Sequence, residues 1–426
     1  MTSTIDGTGH SSFDSSPAPS PRTVPLPPPY GVRGRIARRV LERILRKVPV
    51  TARLADGEQW GDARGPVIEV ADPTAFFARL GHSPMIGLGE SYMAGEWRPA
   101  AGTDLADALA PFAARLTELI RPSFYRLRHV VLPRGLNPEN TKEGSRRNIE
   151  LHYDLSNEMF EQFLDPSLSY SSALFETLDP APSPDDLEPA QLRKVDAILD
   201  RAGVVAGSRV LEIGTGWGTL AIRAAQRGAR VTTITLSAEQ AALAQERVDE
   251  AGVGDHVEIA LRDYRDQTGE FDAVVSVEMI EAVGEKYWPT YFAKIDSLLA
   301  PGGAAVIQAI LLEHHRMVAT RNTYTWIHKY IFPGGLLPST DAIHAVLGEH
   351  TSLRISEIAP MGQHYAHTLR LWRDKFLSRW PRVRELGFDE TFRRMWEFYL
   401  AYCEAGFRTG YLDVAQIQLT RPAPSR

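Results

Sequence analysis

The strongest chemical signal in the sequence is Val210-Leu211-Glu212-Ile213-Gly214-Thr215-Gly216-Trp217-Gly218. An apolar strand carrying one acid runs into a turn with glycine at alternate positions, and a helical pattern follows. Glycines there let the main chain approach a ligand closely, and the helix start offers unpaired N–H groups to it. The G-x-G-x-G spacing differs from the G-x-G-x-x-G of dinucleotide sites. The sole cysteine, Cys403, excludes a disulfide framework and a multi-cysteine zinc site, and suits a reducing cytoplasm.

Positioning such a loop takes a sheet, and from about residue 190 the pattern supplies one. A helix near 188–203 leads to strand 209–214, a helix through about 227, strand 230–236, helix 238–252, strands 256–261 and 271–277, and a helix near 288–300. After Pro301-Gly302-Gly303 comes the apolar strand GAAVIQAIL. Short apolar strands alternating with helices imply an α/β, mostly parallel, doubly wound sheet with ligands at the strand carboxyl ends. The aromatic-rich chain beyond 320 reads as mostly helical and caps that sheet, with the substrate cap near 315–410.

The first part of the chain differs in kind. Residues 1–30 hold six Ser and seven Pro, a composition that cannot offset its ordering entropy, and read as a disordered tail. Residues 31–50 then carry seven Lys/Arg and one acid. Ile36, Val40, Leu41, Ile44, Leu45 and Val48 fall at helical spacing, with arginines on the other faces. Such a helix docks on its own domain or is drawn to an anionic membrane surface, and the two roles are compatible. A small mixed domain follows, with a strand at 66–70 and a helix at 104–120. A second basic stretch holds Arg121, Arg126, Arg128, Arg134, Lys142, Arg146 and Arg147. The divisions expected are a tail at 1–30, a basic lipid-binding domain at 31–140 and a catalytic domain at 141–426. With 47 Lys+Arg against 53 Asp+Glu, net charge −6, the chain is no nucleic-acid binder held by bulk charge. No apolar run approaches the ~18 residues of a membrane span.

The glycine loop resembles the S-adenosylmethionine (SAM) loop of class I methyltransferases. In that frame Glu212 anchors the turn or the cofactor's ammonium end. Strand 230–236 lacks the usual acid for the ribose hydroxyls, leaving Thr235 and Gln240 as hydrogen-bonding partners, and Asp263-Tyr264 stands where an adenine edge would come. More stretches fit one family within that class: His152-Tyr153-Asp154-Leu155-Ser156-Asn157, Asp165-Pro166, Tyr170-Ser171, Ser237-Ala238-Glu239-Gln240, the run Trp326 to Gly335, Gly87-Leu88-Gly89-Glu90-Ser91-Tyr92-Met93, the run Arg394 to Leu400, and Phe407-Arg408. These resemble the cyclopropane fatty acid synthases over roughly residues 80–420. The resemblance implies a Rossmann-like methyltransferase fold with helical lid insertions and a smaller N-terminal lipid-binding domain. It also implies methyl transfer from SAM to a cis double bond of an unsaturated phospholipid chain, on the inner face of the cell membrane. Aromatic faces can stabilise the resulting carbocation, and Trp217, Tyr170, Tyr330, Phe332 and Tyr365 are the candidates.

Ring-forming members of the family use bound bicarbonate as the base, held by a Cys, a Glu, a His and a Tyr. Here the Cys position is Ser172, the Glu is Glu281, the His position is Gln308 and the Tyr is Tyr365. That puts a bicarbonate site in doubt. Where the family commonly has a small residue three places before the Glu, this chain has Glu278. Its carboxylate can replace the anion and act as general base, with burial raising its pKa. Deprotonation after a hydride shift gives a 10-methylene chain in place of a ring, as in the branch of the family serving tuberculostearic acid. That branch implies a separate FAD- or NADPH-dependent reductase as partner and a homo-oligomer or hetero-complex. The alternatives are a bicarbonate-using cyclopropane synthase and a non-catalytic lipid-binding subunit.

Overall fold

The computed structural model describes residues 23–62, 64–119, Thr141, Gly144 and 156–422. Residues 1–22 of the expected tail, the whole second basic stretch and His152-Tyr153-Asp154-Leu155 lie outside the described residues. Residues 23–30 have no helix or strand, and Val24 packs against the largest core cluster.

The basic segment folds as α1 (Val32–Leu45). Its apolar stripe is wider than the face that packing covers: Leu45 and Val48 are buried and Leu41 and Ile44 half-buried, while Ile36 and Val40 stay exposed. A four-stranded sheet follows, built from β1 (Thr51–Leu54), β2 (Gln59–Gly61), β3 (Val67–Val70) and β4 (Trp97–Pro99) in the order β2-β1-β3-β4. Two ten-residue helices, α2 (Pro73–His82) and α3 (Pro84–Met93), each start on proline, whose missing N–H costs nothing at a helix start. Asp72 caps α2 by accepting from the Ala75 N–H at 3.0 Å. The long α4 (Leu105–Leu119) completes this part.

After α5 (Asn157–Glu161) and α6 (Leu187–Arg201), the larger sheet is laid down by β5 (Arg209–Ile213), α7 (Thr219–Gln226), β6 (Arg230–Thr235), α8 (Ala238–Glu250), β7 (Val257–Leu261), β8 (Phe271–Val277), α9 (Trp288–Leu298) and β9 (Leu299–Leu312). Then come α10 (His314–Thr320), α11 (Trp326–Tyr330), α12 (Thr340–His350), β10 (Arg354–Pro360), α13 (Gly362–Ser378), α14 (Trp380–Glu385), α15 (Glu390–Arg408) and β11 (Leu412–Thr420). Seven strands take the order β10-β11-β9-β8-β5-β6-β7. Pairs β8/β9, β8/β5, β5/β6 and β6/β7 are parallel, whereas β11 runs antiparallel to both β9 and β10. This is the class I methyltransferase arrangement, α/β and mostly parallel.

Two sequence expectations need correction. The chain beyond 320 is not only a helical cap, because β10 and β11 extend the sheet. Val414, Ala415, Gln416 and Ile417 are consecutively buried, so β11 shows no alternation that would mark it as a strand. The break at Pro301-Gly302-Gly303 does not precede β9 but lies within it, where the pairing with β8 shifts register between Phe271 and Ala273.

The largest core cluster lies mostly outside the sheet of seven strands and touches it at Val414, Leu412 and Ile310. It runs from Leu45 and Phe77 through Phe160 and Phe163 to Trp372, Trp396 and Phe407, so the N-terminal part and the cap share one apolar interior. Helix α15 packs on α4 and α3, and α11 is fixed to α3 at close range. The Glu90 carboxylate accepts from Lys329 Nζ at 2.5 Å and Tyr330 OH at 2.7 Å, and Trp326 Nε1 donates to Met93 Sδ. A Cβ on Gly89 would lie 2.5 Å from the Trp326 ring. Gly89→Ala is therefore expected to cost about 1–3 kcal/mol by overpacking, lowering the melting temperature by several degrees. Gly348→Ala, in α12 with nothing within 4 Å of the added carbon, should leave it unchanged or slightly raised; calorimetry on both checks this.

Candidate active site

Strands β5 and β8 are neighbours at the point where the chain reverses its direction of travel across the sheet, the place where open α/β sheets leave a crevice. The glycine loop leaves β5 there and Glu278 leaves β8 there. Gly214 takes φ 102 and Gly216 φ 51. A Cβ on Gly214 would come 2.7 Å from Met279 Cγ, whereas one on Gly216 would meet nothing within 4 Å. Gly218 closes the loop on α8, with Ala244 3.3 Å from the position its Cβ would take. The loop is therefore bare on its cavity side, and the wall continues through Thr235, Gln240 and Tyr264. Thr235 Oγ1 donates to Gln240 Oε1 at 3.2 Å, and Ser237 caps α8 by accepting from the Gln240 N–H. A bare glycine cradle with polar groups at the end of the adjacent strand fits an adenosyl-bearing methyl donor.

The Glu212 carboxylate accepts from Thr233 Oγ1 at 2.6 Å, and Thr233 in turn contacts Thr215 Oγ1 at 2.8 Å. It thus ties the strand to the loop while also reaching the cavity wall. Burial pushes its pKa up to about 8. Trp217 is buried, lines the cavity and donates from Nε1 to Asn157 Oδ1 at 2.8 Å. Asp263 does not reach the cavity wall: its carboxylate takes the Arg265 guanidinium at 2.7 Å, and only the adjacent Tyr264 lines the space.

Glu278 is the centre of the site. It takes φ 50, a left-handed backbone that costs a non-glycine residue of order 1–3 kcal/mol. Its Oε1 accepts from the Ser172 N–H at 2.9 Å and from Gln308 Nε2 at 2.9 Å, and its Oε2 accepts from Tyr365 OH at 2.8 Å. Ser172 contributes through its main chain, since its hydroxyl donates to the Ala173 carbonyl; the side chain at that position is not what reaches the carboxylate. Gln308 is itself held by Gln416 Nε2, which donates to its Oε1 at 3.2 Å. Burial raises the Glu278 pKa, and the three donors together with the nearby Lys194 charge pull it back. Glu281, one turn on, has fewer donors. Its Oε1 accepts from the Ile310 N–H at 2.5 Å and its Oε2 is buried without a partner. Burial and then the Glu278 charge push it up to about 8, so it holds its proton at neutral pH.

Tyr170 and Ser171 stand on the same wall. The Tyr170 and Tyr399 hydroxyls are 2.8 Å apart, and Ser171 Oγ accepts from Lys194 Nζ at 2.7 Å. Lys194 escaped the sequence reading because one lysine in an amphipathic helix looks like surface. It is 3% exposed, lines the cavity, and burial lowers its pKa to about 8. Arg247 was also missed: its guanidinium donates to the carbonyls of Trp217, Ser167 and Pro166, tying the loop to the 165–167 segment. Of the aromatic candidates, Trp217, Tyr170, Phe332 and Tyr365 line the cavity with Tyr399, which sequence reasoning had not named. Tyr330 does not line it, because its hydroxyl is engaged by Glu90. The cavity, about 1560 Å3, reaches from the glycine loop and Glu278 to α4 and α1.

The mycolic acid cyclopropane synthetase profile matches residues 140–417. The chain is 50% identical, over the full length of both, to the tuberculostearic acid methyltransferase UfaA1 of Mycobacterium tuberculosis. It is 35% identical to the cyclopropane-fatty-acyl-phospholipid synthase of Escherichia coli over 83% of this chain and 87% of that one. Among solved structures, the cyclopropane synthase MmaA2 of M. tuberculosis superposes with a TM-score of 0.59 at 31% identity, covering 64% of this chain and 97% of that one. The mycolic acid cyclopropane synthase CmaA1 complexed with SAH and CTAB gives 0.59 at 29% identity, covering 64% and 97%.

The Glu281 carboxyl titrates near 4.5 ordinarily and near 8 in the fold. Between those values the folded chain keeps a proton that the unfolded chain has lost. Its contribution to stability therefore falls as pH rises from about 4.5 to about 8, by at most ~1.4 kcal/mol per pH unit, and levels off above. Glu281→Gln cannot ionise, so it should match the parent near pH 5 and melt higher at pH 8. Melting curves of both proteins across pH 5–9 check the sign.

Proposed function

The chain belongs to the mycolic acid cyclopropane synthetase family, and from that membership we propose that it methylates the cis double bond of a phospholipid-linked, oleoyl-type acyl chain and releases a 10-methylene product. It is a SAM-dependent methyltransferase acting in lipid modification. The single observation that carries the choice of product is the setting of Glu278. The Ser172 N–H, Gln308 and Tyr365, at three of the positions that hold bicarbonate in ring-forming relatives, all converge on its carboxylate. A ring-forming reaction with bicarbonate needs those donors free.

Bound over the glycine cradle, SAM supplies an electrophilic methyl group. Gly214, Gly216 and Trp217 shape its seat, Glu212 and Thr215 stiffen the loop, and Thr235, Gln240 and Tyr264 flank it. The alkene's π electrons would form the new C–C bond as the S–CH3 bond of the sulfonium breaks and leaves its electron pair on a neutral thioether sulfur, with a cation left on the neighbouring chain carbon. Tyr170, Trp217, Phe332, Tyr365 and Tyr399 offer π faces that exclude water without trapping the cation, each worth ~0.5–2 kcal/mol. A hydride shift moves the charge to the methyl-bearing carbon. Glu278 then takes a proton from the new methyl group, and the released C–H pair closes the C=CH2 bond. The Ser172, Gln308 and Tyr365 donors oppose the upward push of burial on this carboxylate, and it stands beside a neutral Glu281, so the chain itself offers a base without a diffusible anion.

Among the described residues no helix is long and apolar enough to cross a membrane, and the lipid is reached from the cytoplasmic face of the bilayer. The methylene product is a substrate for a hydride-donating FAD- or NADPH-dependent reductase, which makes the 10-methyl chain.

Glu278→Gln keeps the shape and removes the base. We expect a loss of ~10²–10⁴-fold in turnover with SAM affinity unchanged; near-normal turnover would sink the base assignment. Lipid from a host with oleoyl phospholipids expressing this chain alone should gain one methylene mass and be reduced by mild hydrogenation. A product that resists hydrogenation would establish a ring instead.

A further inference from the structure

The far end of the cavity carries a second feature. Arg33, Ile36, Ala37, Val40, Arg43 and Lys47 all line it. Their spacing of three and four places them along one side of α1 and the turn after it. Arg33, Ile36, Val40, Arg43 and Lys47 are also solvent-exposed; facing them on α4 are Phe112, Ala113, Leu116 and the exposed Arg115. With exposed residues on both helices lining it, the cavity is open to the outside at this end.

The charges at the opening are not used by the fold. Among the described residues, Arg33, Arg43, Lys47 and Arg115 make no ion pair. Arg38 on the same helix shows what a structural arginine looks like here: it bonds Asp56 and Glu58 and lies over the Trp60 and Phe77 rings. The apolar side chains are equally out of place. Of the eleven large hydrophobic residues exposed in the described chain, five (Leu26, Tyr30, Val32, Ile36 and Val40) fall in this one stretch. An apolar patch ringed by unpaired cations, continuous with an apolar cavity, matches an anionic lipid surface in both charge and polarity.

We infer that the opening between α1 and α4 is the port through which a phospholipid leaves the bilayer for the site. Arg33, Arg43, Lys47 and Arg115 take its anionic phosphate. Val32, Ile36 and Val40 sit among the acyl chains, and one chain runs down the cavity to Glu278. This rests on the methyltransferase reading above and adds the route and the headgroup chemistry.

The test uses the full chain with vesicles of dioleoyl phosphatidylglycerol or dioleoyl phosphatidylcholine, scoring co-sedimentation, methylated lipid and SAM affinity separately. The parent should bind the anionic vesicles at least tenfold more tightly, and raised salt should remove the difference. Arg33→Glu/Arg43→Glu/Lys47→Glu should erase that preference and cut methylation of vesicle lipid at least tenfold, with SAM affinity unchanged. Ala113→Trp, which fills the throat between the helices, should keep vesicle binding and lose methylation; Ala37→Trp repeats the block from the other side. Parent-like methylation in the triple variant, or in both tryptophan variants while they still bind SAM, overturns the port. A parent that binds anionic vesicles but methylates no lipid overturns the proposed function and leaves the docking surface standing.

Discussion

A carboxylate without water must be paired, hydrogen-bonded or protonated, and much of the arrangement of this protein serves to hold one such group, Glu278, among hydrogen-bond donors. Its three donors come from places far apart in the chain: a main-chain N–H at Ser172, a side chain on β9 and a side chain on α13. The parallel pairing of β8 with β9 puts Gln308 opposite Val277, and β11 supplies the Gln416 that fixes which end of Gln308 faces the carboxylate. Strand β11 is therefore part of the site's support. The left-handed backbone at Glu278 is strain that this convergence sustains.

The surrounding charges divide the work. The buried Glu212 and the half-buried Glu281 have fewer donors, and their pKa values rise to about 8; Lys194, buried nearby, falls to about 8. Close to neutrality the site thus avoids stacking several negative charges, and Glu278 is the carboxylate whose upward push by burial is opposed by three donors. The aromatic wall completes this arrangement, because a cation on a hydrocarbon chain survives only where water does not reach it.

Much of this was legible in the sequence. Apolar runs alternating with helical patterns marked the parallel strands, since strands buried on both faces need no polar alternation. The glycine loop was readable because glycine adopts the positive-φ backbone of Gly214 and Gly216 without steric cost. Glu278 stood out as a charge where a small residue was expected. What stayed hidden depends on long-range placement. Strand β11 looked like no strand because four consecutive side chains are buried. Ser172 drew attention for its side chain, although its amide makes the contact. Tyr330 belonged to the right motif yet faces Glu90. The extent of the cavity could not be read at all, because it arises from the packing of α1, α4 and α15 around a shared interior.

Attaching the base to the chain has a cost that a dissolved ion avoids. Bicarbonate that has captured a proton can diffuse off and carry it away, and a fresh ion can take its place. In the proposed reaction Glu278 stays where it is, so each turnover would leave it protonated in a dry pocket, and the pocket would have to be wetted or bridged before it could act again. Regeneration is then bound to product departure: only when the altered chain withdraws does solvent gain access to discharge the acid. A tethered carboxylate of the proposed kind would free the enzyme from dissolved carbon dioxide, and it would tie the resetting of the catalyst to the traffic of lipid through the same space.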